Sequence, residues 1–245
     1  MLDTTPAKSL TYRLKAGKSI ARSIIFLHSA SFVHKNIRPE TILVTETGEF
    51  YLVGFQCFRA AAGETYMLGD TVQSKNLYRH PARQGQVPEE MYSMQHDVYS
   101  LGVCLLEVGL WSSFVKYNDA ATESYVNISA IPEASVSPAV RGHKTRAYEV
   151  KRKLISLAKT ELPSRMGDEY SAVVVSCLTY LDKDSNLGSV DELLEDDNGV
   201  IIGVNYIQKV STTTVSSSSR PTNRLRRFWR RLKRLLPECV CCYTK

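Results

Sequence analysis

Apolar positions recur at helical spacing in several stretches of the chain. Residues 9–29 combine small and aliphatic positions on one face with cationic side chains between them, which predicts an amphipathic helix. Residues 97–112 carry a second aliphatic stripe, and residues 145–161 and 168–181 predict two more helices separated by a Leu-Pro step. The helices therefore dominate the predicted fold.

Two short β-rich runs lie between the first two helices. Residues 42–45 and 50–53 are separated by a Glu-Thr-Gly-Glu turn in which Gly48 is free to adopt positive φ, so they predict a β-hairpin. Residues 56–90 contain scattered glycine and proline without a clear period, and we expect one long ordered loop there. The predicted fold class is α+β, mainly α with a small β-hairpin.

The composition is that of an ordinary globular protein. The 245 residues are 43% hydrophobic and 23% charged, which excludes a wholly disordered or fibrous chain. No apolar run approaches the length needed to span a bilayer, and the N-terminal residues lack the apolar core of a signal peptide. Six cysteines in such a chain favour a reducing compartment, so we expect a cytoplasmic protein.

The formal charge of +6 is unevenly distributed along the chain. Residues 211–245 hold nine Lys and Arg residues and one acidic residue, a net +8, whereas the rest has 22 basic and 24 acidic residues, a net −2. The sequence therefore divides into a body, residues 1–210, a Ser/Thr-rich linker, residues 211–223, and a basic tail, residues 224–245.

The tail predicts a basic amphipathic helix that ends before Pro237. Its apolar residues recur at three-, four- and seven-residue intervals, cations fill most other positions, and three cysteines follow. This pattern is typical of a helix lying in an anionic membrane interface, with the cysteines as candidates for palmitoylation. The residues expected to act there are Arg227, Phe228, Trp229, Arg230, Arg231, Cys239, Cys241 and Cys242.

Other ligands share this charge pattern. Nuclear import, nucleic acid, a calmodulin-type partner and solvated disorder are the alternatives. The Trp/Phe/Leu face counts against nucleic acid, because neutralising phosphates requires no apolar stripe. We therefore expect a protein peripheral to a membrane, with the nucleus as the alternative location.

Four short motifs of the body occur in a fixed order. They are residues 34–41 (HKNIRPET), 54–56 (GFQ), 78–82 (YRHPA) and 97–103 (DVYSLGV). In this order they resemble the catalytic loop, the Asp-Phe-Gly motif, the end of the activation segment and the start of the central helix in the C-terminal lobe of protein kinases. The body is similar to kinase-like proteins of filamentous fungi, and an unrelated helical domain is the alternative.

The resemblance implies that the groups of phosphoryl transfer are replaced. In kinases an aspartate accepts the substrate hydroxyl proton, and an asparagine and a second aspartate hold magnesium; the corresponding residues here are Asn36, Thr41 and Gly54. Arg38 stands where kinases have a lysine that touches the transferred phosphate, so the charge is kept. We therefore expect no catalytic residue and no cofactor, with ATP and Mg²⁺ implied only if the chain is active.

The same resemblance implies that residues organising the kinase fold are retained. His34 and Phe55 match residues that stack between the catalytic loop and the activation segment, and Asp97 matches a buried carboxylate that receives hydrogen bonds from the loop backbone. Ala82 replaces a glutamate whose arginine partner is also missing, which predicts a looser anchor of the activation segment. The five histidines show no metal spacing, so no metal site is expected.

The glycine-rich loop and the strand lysine of the kinase N-terminal lobe have no counterpart in these 245 residues, so we expect half a nucleotide pocket. The first hypothesis is a pseudokinase module that binds protein partners through its lobe and a membrane through its tail. The second is a fragment of an active Ser/Thr-type protein kinase. The third is a nuclear or nucleic-acid-binding protein that acts through the tail.

Overall fold

The fold was analysed in a computed structural model. The structure describes residues 8–63, 67, 69–117, 124–127, 130–131 and 142–182. The predicted linker and the basic tail helix with its cysteines lie outside the described residues, as does the C-terminal end of the predicted body.

The structure confirms a mainly α fold. Its α-helices in the described residues are α1 (Leu10–Ser29), α2 (Gln73–Asn76), α3 (Met94–Leu110), α4 (His143–Thr160), α5 (Leu162–Met166) and α6 (Asp168–Thr179). The four predicted helices correspond to α1, α3, α4 and α6, and each predicted end lies within three residues of the observed one. No helix in the described part of the chain is long and apolar enough to cross a bilayer.

Helix α3 forms the centre of the hydrophobic core. Nearly all of its residues are buried, and α1, α5 and α6 pack around it. Gly102 is required at the closest approach, because a Cβ atom there would lie 2.7 Å from the Cβ of Cys177 on α6. The helix begins three residues before the prediction because the backbone N–H of Ser93 donates to His96 Nδ1 at 3.0 Å and caps the first turn.

In the described residues, three small antiparallel sheets flank the helices, where the sequence predicted one hairpin. The predicted hairpin is β2 (Ile42–Val44) paired with β3 (Phe50–Leu52), and Gly48 in its turn has φ +72°. The two further pairs are β1 (Phe32–Val33) with β4 (Arg59–Ala60), and β5 (Val115–Tyr117) with β6 (Ser124–Val126).

The prediction of one irregular loop over residues 56–90 was wrong in detail. The described part of this segment contains a 3₁₀ turn at Phe55–Cys57, the short strand β4, helix α2 and a second 3₁₀ turn at Pro81–Arg83. These elements are two to four residues long. Such lengths cover no more than about one helical turn or two strand periods, so hydrophobic periodicity gives no signal for them.

Candidate functional site

Asp97 organises the segment that follows β1. The carboxylate is fully buried in the first turn of α3 and accepts the backbone N–H of His34 at 2.7 Å and that of Lys35 at 3.0 Å. Two side chains also contact the carboxylate: His28 Nε2 lies 3.1 Å from it, and the hydroxyl of Tyr92 donates to it at 2.7 Å. Burial alone would raise the pKa of the carboxyl, but these hydrogen bonds, led by the one from His28, outweigh it and hold the pKa below its usual value. Asp97 therefore fixes the start of the loop as an anion.

The side chain of His34 connects this loop to the segment after β3. Its ring lies 4.8 Å from the ring of Phe55 in an edge-to-face contact, and its Nε2 lies 3.0 Å from the carbonyl oxygen of Val53. Burial lowers the pKa of His34, so the ring is neutral near pH 7. A neutral ring donates one hydrogen bond to the carbonyl and packs against Phe55 without a charge to solvate.

Asn36, Thr41 and Gly54 lie against one another. The hydroxyl of Thr41 donates to the backbone carbonyls of Asn36 and Arg38, each at 2.9 Å, and accepts the N–H of Arg38 at 3.2 Å. Gly54 has φ +82°, and a Cβ atom there would lie 2.6 Å from Thr41 Cγ2 and 3.6 Å from Asn36 Nδ2. The Thr41 methyl thus fills the space that a side chain at position 54 would need.

Arg38 has an acidic neighbour. Its guanidinium lies 3.6 Å from the carboxylate of Glu40. Glu40 in turn accepts a short hydrogen bond from the hydroxyl of Tyr117 on β5, and partial burial together with this contact raises the pKa of Tyr117. The charge of Arg38 is therefore balanced from within the chain.

Comparison with known protein families identifies the family to which this chain belongs. The family model for the protein kinase domain matches residues 8–181. The chain belongs to the protein kinase family. The matched region includes residues 34–41, 54–56, 78–82 and 97–103, the four motifs of the sequence analysis.

Individual kinases are similar over shorter stretches. The MAP kinase kinase MKK1/SSP32 of Saccharomyces cerevisiae is 34% identical over 96 residues, which cover 38% of this chain and 17% of that protein. The serine/threonine-protein kinase PknL of Mycobacterium tuberculosis is 28% identical over 109 residues, 44% of this chain and 27% of that protein. A probable serine/threonine-protein kinase of Clostridium acetobutylicum is 28% identical over 119 residues, which cover 49% of this chain and 17% of that protein. The matches span less than a third of the length of these kinases.

Residues 78–82, which resemble the end of a kinase activation segment, are bonded at two places to the rest of the domain. The hydroxyl of Tyr78 donates to the buried carboxylate of Glu107 on α3 at 2.9 Å, and the backbone N–H of Phe114 donates to the same oxygen at 2.6 Å. Two residues further on, His80 Nε2 lies 3.1 Å from the ammonium of Lys151 on α4, which is 2.5 Å from the Asp182 carboxylate. Sequence analysis did not identify this second contact, because no motif connects residues so far apart in the chain.

A cluster with the composition of a metal site also escaped the sequence analysis. His80, Glu90 and His96 place one candidate ligand atom each within 4.8 Å of the others. Burial and the charge of Lys151 lower the pKa of His80 to about 3, and burial and Arg83 lower that of His96 to about 4. Both rings are therefore neutral, as metal ligands must be.

The hydrogen bonds of this cluster nevertheless disfavour a cation. The ammonium of Lys151 already lies 3.1 Å from His80 Nε2. The N–H of Ser93 points at His96 Nδ1, so the proton of the neutral His96 ring resides on Nε2, the atom that faces Glu90 at 3.3 Å. A metal ion there would have to displace one proton and approach one ammonium group.

Proposed function

We propose that this chain is a catalytically inactive, kinase-like interaction module. The observation that carries the proposal is the contact among Asn36, Thr41 and Gly54, the positions that hold the general base and the two metal ligands in active kinases. Position 54 has no side chain, and the space beside it is filled by the Thr41 methyl. The loop is therefore packed for its present residues, and a carboxylate could not be restored at position 54 without moving Thr41.

The missing groups account for most of the chemistry of phosphoryl transfer. Loss of a general base costs about 10²–10⁴ in rate. Loss of the metal ligands removes the positive charge that neutralises the transferred phosphoryl group, which contributes several kcal/mol more. Arg38 stands where kinases have the lysine that touches the transferred phosphate, and its guanidinium already has Glu40 at 3.6 Å. A single paired cation does not replace two magnesium ions.

The test is a measurement of nucleotide binding and phosphotransfer on the purified full-length chain. We expect no transfer of labelled phosphate to casein above a no-protein control, and no heat of binding at micromolar concentrations of ATP with Mg²⁺. The matched variant restores Asn36→Asp, Thr41→Asn and Gly54→Asp together. Turnover and micromolar affinity in the unaltered chain would contradict the proposal.

A second candidate is a segment of an active Ser/Thr-type protein kinase. The relatives named above support it, since they are a MAP kinase kinase and two serine/threonine kinases, and the matched region is a minor part of each. Under this alternative ATP and Mg²⁺ are cofactors, and the remaining lobe is encoded elsewhere in the transcript. Sequencing the full transcript and assaying its product distinguishes the two candidates.

We also propose that the tail tethers the module to an anionic membrane surface. Support comes from the sequence: Trp229 and Phe228 occupy one face of the predicted helix, Arg227, Arg230 and Arg231 the other, and Cys239, Cys241 and Cys242 follow. The protein should sediment with phosphatidylserine vesicles and not with phosphatidylcholine vesicles, and deletion of residues 224–245 should abolish this. In cells, replacing the three cysteines by serine should release a membrane protein but leave a nuclear one in place.

A further inference from the structure

Four cationic side chains from three separate segments of the chain surround Tyr92. The ammonium of Lys35 lies 6.0 Å from the centroid of the Tyr92 ring, and the guanidinium of Arg83 lies 5.6 Å from it. Arg59 on β4 donates to the backbone carbonyl of Tyr92 at 2.6 Å. Arg79 is near enough for its charge to act on both Lys35 and Tyr92. We call these four side chains the cation cluster.

Two of the three arginines in the cation cluster are held by neutral backbone oxygens. Arg59 also donates to the carbonyls of Ala60 at 2.6 Å and Ala61 at 2.9 Å, and the buried Arg83 donates to the carbonyl of Glu90. Such contacts fix a guanidinium in place without neutralising its charge. The carboxylates near the cluster each act on an arginine: Asp70 on Arg79, Glu90 on Arg83 and Asp97 on Arg59.

Lys35 differs from the arginines of the cluster in its contacts. Among the described residues, its ammonium contacts the Tyr92 ring and forms no hydrogen bond or ion pair. Its backbone is fixed, because it has φ +67° and its N–H donates to the buried carboxylate of Asp97 at 3.0 Å. The residue is partly exposed. The amine of Lys35 is therefore accessible at a defined position beside three arginines.

These surroundings favour the neutral form of the Lys35 amine. Partial burial and then the three arginines of the cluster lower the pKa of Lys35, and only Cys57 acts in the opposite direction. A neutral amine has the lone pair that attacks a carbonyl carbon, and a lysine beside other cations is activated in this way. The arginines at the same time attract phosphate and carboxylate groups. A molecule with both a carbonyl group and a negative charge therefore suits the cluster in two respects.

We propose that Lys35 is a covalent modification site for small aldehydes that carry a phosphate or carboxylate group. The anionic group binds the arginines of the cation cluster and holds the aldehyde beside Lys35 Nζ. The amine attacks the carbonyl carbon, the carbonyl oxygen leaves as water with both hydrogens of the amine, and an imine joins the aldehyde to Lys35. This modification does not depend on whether the chain transfers phosphate, so its test is independent of the proposed function.

The test compares the labelling of individual lysines in the folded, full-length protein. Pyridoxal 5′-phosphate is the anionic aldehyde, cyanoborohydride reduces each imine to a stable amine, and peptide mass spectrometry gives the rate at each site. Lys159 is the internal reference, because it is exposed near the end of α4. Near pH 7, Lys35 should react about tenfold faster than Lys159, as expected for one charge-assisted hydrogen bond to the phosphate. The difference should be smaller with pyridoxal, which has no phosphate, and absent in urea-unfolded protein.

Two arginine variants test whether the cation cluster causes this reactivity. Arg59→Met and Arg79→Met each remove one positive charge, so each should slow labelling at Lys35 several-fold and move its pH profile upward, toward that of Lys159. Arg152→Met is the matched control, because Arg152 is 75% exposed on α4 and should leave Lys35 unaffected. Urea unfolding shows that each variant is folded before labelling, and Arg79→Met alone decides if Arg59→Met does not fold.

Three results would overturn the proposal. The first is an equal rate at Lys35 and Lys159 with pyridoxal 5′-phosphate, and the second is an advantage of Lys35 that persists in urea or is as large with pyridoxal. The third is an effect of Arg152→Met on Lys35 as large as that of the cluster variants.

Discussion

The ammonium of Lys151 lies 2.5 Å from the carboxylate of Asp182, and the two groups differ strongly in their exposure to water. The side chain of Lys151 is 4% exposed, beside His80 and over the ring of Tyr99, whereas that of Asp182 is 41% exposed. Through His80, the pair connects α4 and the segment that follows α6 to the 3₁₀ turn at Pro81–Arg83.

This difference in exposure predicts an asymmetric mutational response. Asp182→Asn leaves a buried ammonium without its counter-charge and should lower the free energy of unfolding by about 2–4 kcal/mol. Lys151→Met keeps the aliphatic stem and leaves an aspartate that water can solvate, so the loss should be about 1–2 kcal/mol. Urea unfolding followed by circular dichroism measures both values.

The neighbouring Arg152 is the control for the Lys151 pair. Its side chain is 75% exposed, and Arg152→Met should change stability by less than about 0.5 kcal/mol. The double variant Lys151→Met with Asp182→Asn should be no less stable than Asp182→Asn alone, because it contains no unpaired buried charge. A larger loss for Lys151→Met than for Asp182→Asn would contradict this account.

The two buried histidines near this pair predict how stability depends on pH. The pKa of His80 is lowered to about 3 and that of His96 to about 4, both below the usual 6.5. At these two rings, the unfolded chain therefore binds up to two more protons than the folded protein between pH 6.5 and 4. The free energy of unfolding is highest above pH 6.5 and should fall with pH, with a slope of up to about 2.7 kcal/mol per pH unit.

Urea midpoints between pH 7.5 and 5 test this slope in a range where most exposed carboxylates remain ionised in both states. His80→Gln removes one of these two groups and should reduce their combined contribution to the slope by about half. A stability that is constant across this range, or that rises as the pH falls, would show that the rings are protonated in the folded protein.

Asp97 provides a third prediction. Asn at this position would direct an amide NH₂ toward donors that now point at a carboxylate, including the backbone N–H groups of His34 and Lys35. Asp97→Asn should therefore destabilise the domain by about 3 kcal/mol or more. Tyr92→Phe removes a single donor to the same carboxylate and should cost about 1–3 kcal/mol. Equal effects of the two variants in thermal unfolding would argue against a central role for the carboxylate.

The sequence was most informative where an element requires a particular residue type or a regular spacing of apolar residues. The apolar stripes located α1, α3, α4 and α6, and Gly48 marked the turn between β2 and β3. The motif resemblance directed attention to His34, Phe55 and Asp97, which the structure places in one connected group. Each of these features depends on residues close in sequence or on a pattern shared by a large family.

Contacts made by single side chains across long separations could not be predicted in this way. The Tyr117–Glu40, Ser124–Ser74 and Lys151–His80 contacts each join residues at least 50 positions apart. A lone tyrosine, serine or lysine has no local pattern that distinguishes it from an ordinary surface residue. The packing of Thr41 against Gly54 also required coordinates, because the sequence shows the two substitutions but not the 2.6 Å separation that a Cβ atom would have.

That separation gives the last prediction. Gly54→Ala would place a side chain at φ +82° and 2.6 Å from the Thr41 methyl, so it should cost about 2–4 kcal/mol of unfolding free energy from backbone strain and overpacking together. Gly167→Ala is the matched control, because Gly167 has φ +86° and nothing within 4 Å of the added methyl; strain alone should cost it about 1 kcal/mol. Thr41→Ser deletes the obstructing methyl and keeps the hydroxyl, so Gly54→Ala should cost about 1–2 kcal/mol less in that background. A double-mutant cycle by urea unfolding measures this coupling, and additive effects would show that Thr41 does not fill the space beside position 54.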